Sequence, residues 1–140
     1  MSSQSELSIF KSLASLIFPP HLLDYFDVVS VEERPIHNPK GLETGEIVFL
    51  LEEKDELQCP EAGHTYHPNG FYEVSTVRDF PLRDKKVLLQ IKRRRWVDET
   101  TGKSVGNTYK LVADGTRHSV EFAAFLKECF GSIPDISLFS

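Results

Sequence analysis

Cysteine is scarce in this chain. Two in 140 residues, Cys59 and Cys129, stand seventy positions apart with no C-x-x-C pair, which excludes a disulfide scaffold and points to a reducing compartment, with the cytoplasm as the expected location. Long apolar runs are also missing: the stretch 13–20 falls well short of the ~20 residues that a membrane span requires. The opening MSSQSE has no basic n-region, so the chain reads as soluble and unexported, with no membrane partner. It holds no G-x-S-x-G, P-loop, H-E-x-x-H or G-x-G-x-x-G motif, and with them go the commonest hydrolase, nucleotide and metalloprotease chemistries. Acidic pairs do occur, at Glu32 and Glu33, Glu52 and Glu53, and Asp55 and Glu56. Adjacent strand residues face opposite ways, so these read as a solvated acidic surface rather than a metal cluster, and no enzyme and no cofactor are expected. There is no internal repeat and no low-complexity tract.

What remains is an ordinary globular composition, 40% hydrophobic, 26% charged and 11% aromatic, with a mean hydropathy of −0.26. A chain of this length buries roughly 70% of its unfolded surface around one core, which predicts a single domain over 1–140. Basic residues are short in the first half. Residues 1–70 hold four Lys and Arg against twelve Asp and Glu, a net of −8, whereas residues 71–140 hold twelve against nine, a net of +3. Within 83–110 nine bases face three acids, a net of +6. That window is the candidate binding surface, although a solvated basic face, or one neutralised by the acidic half within the fold, accounts for the charge equally well.

Local patterns divide the chain into a helical start (5–26), a β-rich body (27–113) and a C-terminal helix (117–131). Phe10, Leu13, Ala14 and Ile17 recur at helical spacing before Pro19 and Pro20 stop the run, and a short second helix over 21–26 follows. Residues 27–34 and 46–53 read as strands of a long-looped hairpin, with 34–45 as the loop. The irregular segment 54–70 is the expected mobile region. Strands are expected over 71–80, where Pro81 ends the run, over 86–97, and over 103–112 as the return after a turn in DETTGKS. At the end, Ser119 is the expected N-cap, Phe122, Phe125, Leu126 and Cys129 form one stripe, and Gly131 stops the helix. The expected fold is α+β: an antiparallel β-sheet with a projecting basic hairpin, flanked by N- and C-terminal helices.

Lys92, Arg93, Arg94, Arg95 and Trp96 carry the sharpest functional signal. A strand sends alternate side chains to opposite faces, so four consecutive cations cannot all lie over a core, and the strand is expected to leave the packed body here as a ribbon. A two-stranded ribbon fits the ~12 Å major groove, and its cations displace counterions from phosphates. Arg83, Lys85, Lys86 and Lys103 extend the proposed double-stranded DNA contact, and Trp96 either stacks on a base or sugar or caps the sheet, the core role being the commoner for tryptophan. Cys59, His64 and His67 form C-x4-H-x2-H, which has zinc chemistry but no fourth ligand at a usual spacing, so a metal-free loop is the expectation. His21, His37 and His118 read as ordinary polar residues.

The run HPNGFYEVSTVRDFPLRDKKVLLQIKRRRWVDETTGKSV, then KLVADGTRHSVEFAAFLKE, and the opening LASLIFPPHLLDYFDVVSVEE resemble the N-terminal region of a group of bacterial insertion-sequence transposases. The resemblance runs from about residue 7 to 129 and is most specific over 70–102 and 116–127. In larger relatives a zinc ribbon of paired cysteines precedes a similar segment. That region is thought to bind the terminal DNA of the mobile element, while a downstream acidic-triad nuclease core performs transposition. The resemblance thus places Arg78, Asp79, Phe80 and Pro81 before the turn and Lys92 to Trp96 on the basic strand. This sequence lacks the paired cysteines and the nuclease core, so the resemblance implies neither zinc nor catalysis. It implies a DNA-binding N-terminal region encoded separately, a truncated remnant, or the partner of a separately encoded catalytic transposase subunit. A protein-interaction module, docking on that subunit or on a second copy, is the alternative.

Overall fold

Two prolines end the first helix, and from there the chain turns into strands. The computed structural model describes residues 2–37, 43–113 and 116–131. Helix α1 spans Ser2–Ile17 and α2 Leu22–Tyr25, entered through His21 at φ 65°. Seven strands follow: β1 Phe26–His37, β2 Glu43–Glu53, β3 Tyr66–Phe71, β4 Ser75–Leu82, β5 Lys85–Lys92, β6 Arg94–Asp98 and β7 Lys103–Val105. Helix α3, Val120–Phe130, closes the described chain. The class is α+β, with a helix at each end and mostly antiparallel strands.

The strands form two sheets, in the orders β1-β2-β5-β4 and β3-β6-β7. β1 and β2 pair antiparallel as the expected hairpin, but β2 and β5 are parallel. Their register puts Ile47 beside Val87, Phe49 beside Leu89 and Leu51 beside Ile91. This row faces the core, with Phe18, Leu22, Phe26 and Val77 packed against it. Alternation sends Glu46, Val48, Leu50 and Glu52 to the other face, next to Lys86, Leu88, Gln90 and Lys92.

Several boundaries differ from the sequence expectation, each for a local reason. The strand expected over 86–97 breaks at Arg93, and its second part joins a different sheet. There the Arg94 N–H donates to Glu53 Oε1 (2.8 Å) and the Tyr72 N–H to the Arg93 carbonyl (2.9 Å), so backbone groups freed at the corner find new partners. The return strand stops at Val105 rather than residue 112, because Asn107 turns inward to the buried Glu53 carboxylate (2.7 Å). Strands β1 and β2 take up 34–37 and 43–45 of the expected loop, and the rest of it, 38–42, lies outside the described residues. Pro35 is tolerated because β1 is an edge strand. Pro81 likewise sits inside β4, at a register shift on the opposite edge. Of the strand expected over 71–80, Phe71 ends β3, residues 72–74 belong to no strand and 75–80 lie in β4, while β3 takes residues 66–70 of the irregular segment.

The two terminal helices form, but their stripes pack differently than expected. On α1, Leu16 is 82% and Phe10 67% exposed, and Ile9 and Leu13 are exposed with them. Among the described residues of α1, Ala14 is the one packed against the core cluster. On α3, Ala123 and Leu126 are buried and Phe122 half-buried, whereas Phe125 and Cys129 face solvent. Ser119 caps that helix by accepting the Phe122 N–H (3.3 Å), and Gly131 ends it at φ 74°.

Candidate nucleic-acid interface

Because the basic run crosses a corner between two sheets, its members meet different surroundings. Lys92, at the end of β5, lies 4.0 Å from Glu52 and sits over the Phe71 ring. Arg94 is held more tightly: its Nε donates to the Glu53 carbonyl (2.7 Å), its guanidinium reaches Glu52 (3.5 Å), and it too lies over Phe71. Both cations are thereby neutralised by the end of β2. Glu53 itself, 1% exposed, accepts from the Arg94 N–H, Asn107 Nδ2 and the Tyr109 hydroxyl. Burial, and then the Glu53 carboxylate, push the Tyr109 phenol well above its usual range.

Arg93 and Arg95 belong to the other side. Along β6, Trp96 and Asp98 are buried, and Arg95 and Val97 alternate with them. Arg93 donates to the Asn107 carbonyl (3.1 Å) and Arg95 to the Asn69 carbonyl (3.0 Å). Both guanidinium groups flank Tyr72, with Arg93 at 4.8 Å and Arg95 at 5.9 Å from its ring centre. Neither forms an ion pair with a carboxylate among the described residues. The Tyr72 ring in turn lies so close to Gly106 that a Cβ there would be 2.7 Å from Cε2. Glycine is what leaves room for the ring beside the arginines.

The remaining expected contacts scatter. Trp96 is 4% exposed, paired between Pro68 and Val105, and so caps the sheet instead of presenting a stacking face. The half-buried aromatic beside unpaired arginines is Tyr72, which periodicity alone does not single out. Lys85 pairs with Glu33 (3.4 Å) and Asp84 (3.7 Å). Arg83 and Lys86 lie under α3 with Arg78, away from the turn at which Lys103 begins β7. The nine expected residues therefore divide: Trp96 is buried, Lys85, Lys92 and Arg94 face carboxylates, Arg93 and Arg95 lie at Tyr72 with Lys103 on the same sheet, and Arg83 and Lys86 line a groove beside α3.

Cys59, His64 and His67 do not converge. His64 Nδ1 bonds Asp98 Oδ2 (2.7 Å) and its Nε2 meets Glu61 (3.2 Å), while His67 pairs with Glu99. Among the described residues no three His, Cys, Asp or Glu side chains are placed to hold a metal ion. The Asp98 bond holds the His64 imidazolium above the usual histidine range, and the His64 bond holds the Asp98 carboxyl below its own. No helix of the described chain is long and apolar enough to cross a membrane. Comparison with protein-family models, with curated proteins and with solved structures returns no match.

Proposed function

We propose that this chain is a non-catalytic DNA-binding module, the N-terminal or accessory region of a transposase, and that it contacts duplex phosphates through Arg93, Arg95 and Lys103. The observation that carries this reading is the pair of guanidinium groups, Arg93 and Arg95, held at Tyr72 with no carboxylate partner among the described residues, on the short sheet whose last strand begins at Lys103. Preorganised arginines suit phosphate oxygens, which accept paired N–H donors. The sequence resemblance over 70–102 supports the same reading and supplies the class of DNA, the ends of a mobile element. Lys92 and Arg94 contribute little here, since Glu52 already answers them.

Fluorescence anisotropy with a short duplex, across a salt titration, tests this. Replacing Arg93 and Arg95 by alanine is expected to weaken binding to all sequences and to flatten the logarithmic salt slope by about 0.9 per lost phosphate contact. An unchanged slope overturns the assignment of this surface. One feature favours the protein-interaction reading instead, namely the exposed apolar side of α1. Docking on a catalytic subunit or on a second copy would cover it.

A further inference from the structure

Arg83 and Lys86, expected on the DNA surface, lie in a groove with different chemistry. It is a cavity of about 380 Å³ between α3 and the face of β4 and β5 that points away from the core. Arg78 is opposite Leu88 in the β4–β5 register, and Lys86 lies two residues along on the same face. The groove is rigidly framed. Arg78 donates its N–H to the Arg117 carbonyl and accepts the Ser119 N–H (2.7 Å each), which ties β4 to the start of α3. Phe80 packs on Phe122 and Phe125 at 5.1 and 5.4 Å between ring centres.

Three cations, Arg78, Arg83 and Lys86, and two carboxylates, Asp79 and Asp84, line this groove. Arg78, Arg83 and Lys86 form no ion pair among the described residues, and the nearby Asp84 is within reach of Lys85 (3.7 Å). Asp79 is buried and accepts the Ser119 hydroxyl (2.7 Å), and burial pushes its carboxyl towards the neutral form. Burial, and then the charge of Arg78, push the Lys86 amine and the His118 imidazole below their usual ranges, while Glu46 acts the other way on Lys86. His118 lines the same groove, is 3% exposed, and its Nδ1 has no hydrogen-bond partner. Cations gathered without ion-pair partners beside an unsatisfied buried nitrogen suit an anionic ligand. The apolar part of the lining comes from Leu88 on this face and from Phe122 and Leu126 of α3.

We propose that this groove binds a small organic anion, its acidic group held by Arg78, Lys86 and Arg83 and its apolar body lying against Leu88, Phe122 and Leu126. The volume falls within the range of small-molecule pockets, roughly 300–1,000 Å³. This site is independent of the Arg93 and Arg95 surface.

Amide-resolved NMR of the full chain, titrated with 1-naphthyl phosphate, tests it. Saturable shifts at Arg78, Ser119 and Phe122 are expected, with a Kd of about 1 mM or tighter for a ligand of this size. 1-Naphthoate in place of the phosphate distinguishes the head groups, and binding of either supports the site. Neutral 1-naphthalenemethanol and inorganic phosphate are each expected to bind about tenfold more weakly, since each lacks one half of the recognition. Arg78→Gln and Lys86→Gln should each weaken naphthyl phosphate by about tenfold, with Lys11→Gln as the unaffected control. The amide spectra of the two variants verify that each is folded, and either one alone suffices for the comparison. No saturable shift, equal binding of the neutral analogue, or unchanged affinity in the variants overturns the proposal. So does a duplex oligonucleotide that shifts these same amides while naphthyl phosphate does not, which would return the groove to nucleic acid.

Discussion

Glu53 shows how one residue decides the local architecture. It ends β2, lies buried, and gathers the Arg94 backbone, the Asn107 amide and the Tyr109 hydroxyl from the chain segments on either side of the second sheet. Truncation by Glu53→Ala leaves several buried donors without an acceptor, and is expected to cost about 3 kcal/mol in a urea unfolding titration. His64 acts at the same scale through pH. Its folded pKa is raised, so its contact with Asp98 contributes fully below the unfolded value of about 6.5 and is lost as pH rises through the folded value. His118 has the opposite sign, its lowered pKa making stability fall as pH drops below that same unfolded value. Urea midpoints compared at about pH 6.5 and about pH 8.5 should therefore decline in the native chain, whereas in His64→Gln, where only the opposite effect of His118 remains, they should not decline.

Among the elements, α1 is the one whose sequence pattern and surroundings disagree. Its apolar spacing is helical and the helix forms, yet Ile9, Phe10, Leu13 and Leu16 remain in solvent. Attachment to the body comes through Ala14 and through Phe18 just beyond the helix, whose ring meets Phe49 edge-on at 4.8 Å. An exposed apolar stripe of this kind drives association. Light scattering of the purified chain is expected to show a self-associated species that Phe10→Ser with Leu16→Ser converts to monomer without loss of helix α3 or the sheets. A native chain that is already monomeric at high concentration removes self-association and leaves the catalytic-subunit reading of this face.

Across the whole molecule, the segregation of charge along the chain does not survive folding. The parallel pairing of β2 with β5 sets the acidic first half beside the basic second half, Glu52 meeting Lys92 and Arg94, while Glu33 on β1 meets Lys85. Among the described residues, the cations without an ion pair include Arg93 and Arg95 at Tyr72 and Arg78, Arg83 and Lys86 in the α3 groove. DNA affinity should therefore depend on few phosphate contacts, far fewer than the nine bases of 83–110 invite one to count. The salt slope of the native chain, measured before any substitution, reads that number directly.

Local signals were legible in the sequence wherever short-range physics sufficed. Proline placed the end of α1, Ser119 and Gly131 bounded α3, and the apolar alternation of β2 and β5 marked the strands and the α+β class, because caps, breakers and side-chain period act within a few residues. The basic run was visible as charge, and its conflict with a packed strand predicted a ribbon projecting from the body; the strand instead turns at Arg93 into the centre of a second sheet, where Trp96 and Asp98 are buried. Its consequences were not legible. Which cations are neutralised depends on Glu52 and Glu53, some forty residues earlier, and those reach Lys92 and Arg94 only through a parallel pairing that no local pattern specifies. Trp96 took the core role expected of tryptophan, whereas the place of the half-buried Tyr72 beside Arg93 and Arg95 was set by a second sheet built from segments separated in sequence. Composition and spacing thus settled the elements, while long-range strand pairing decided which side chains remain free to bind.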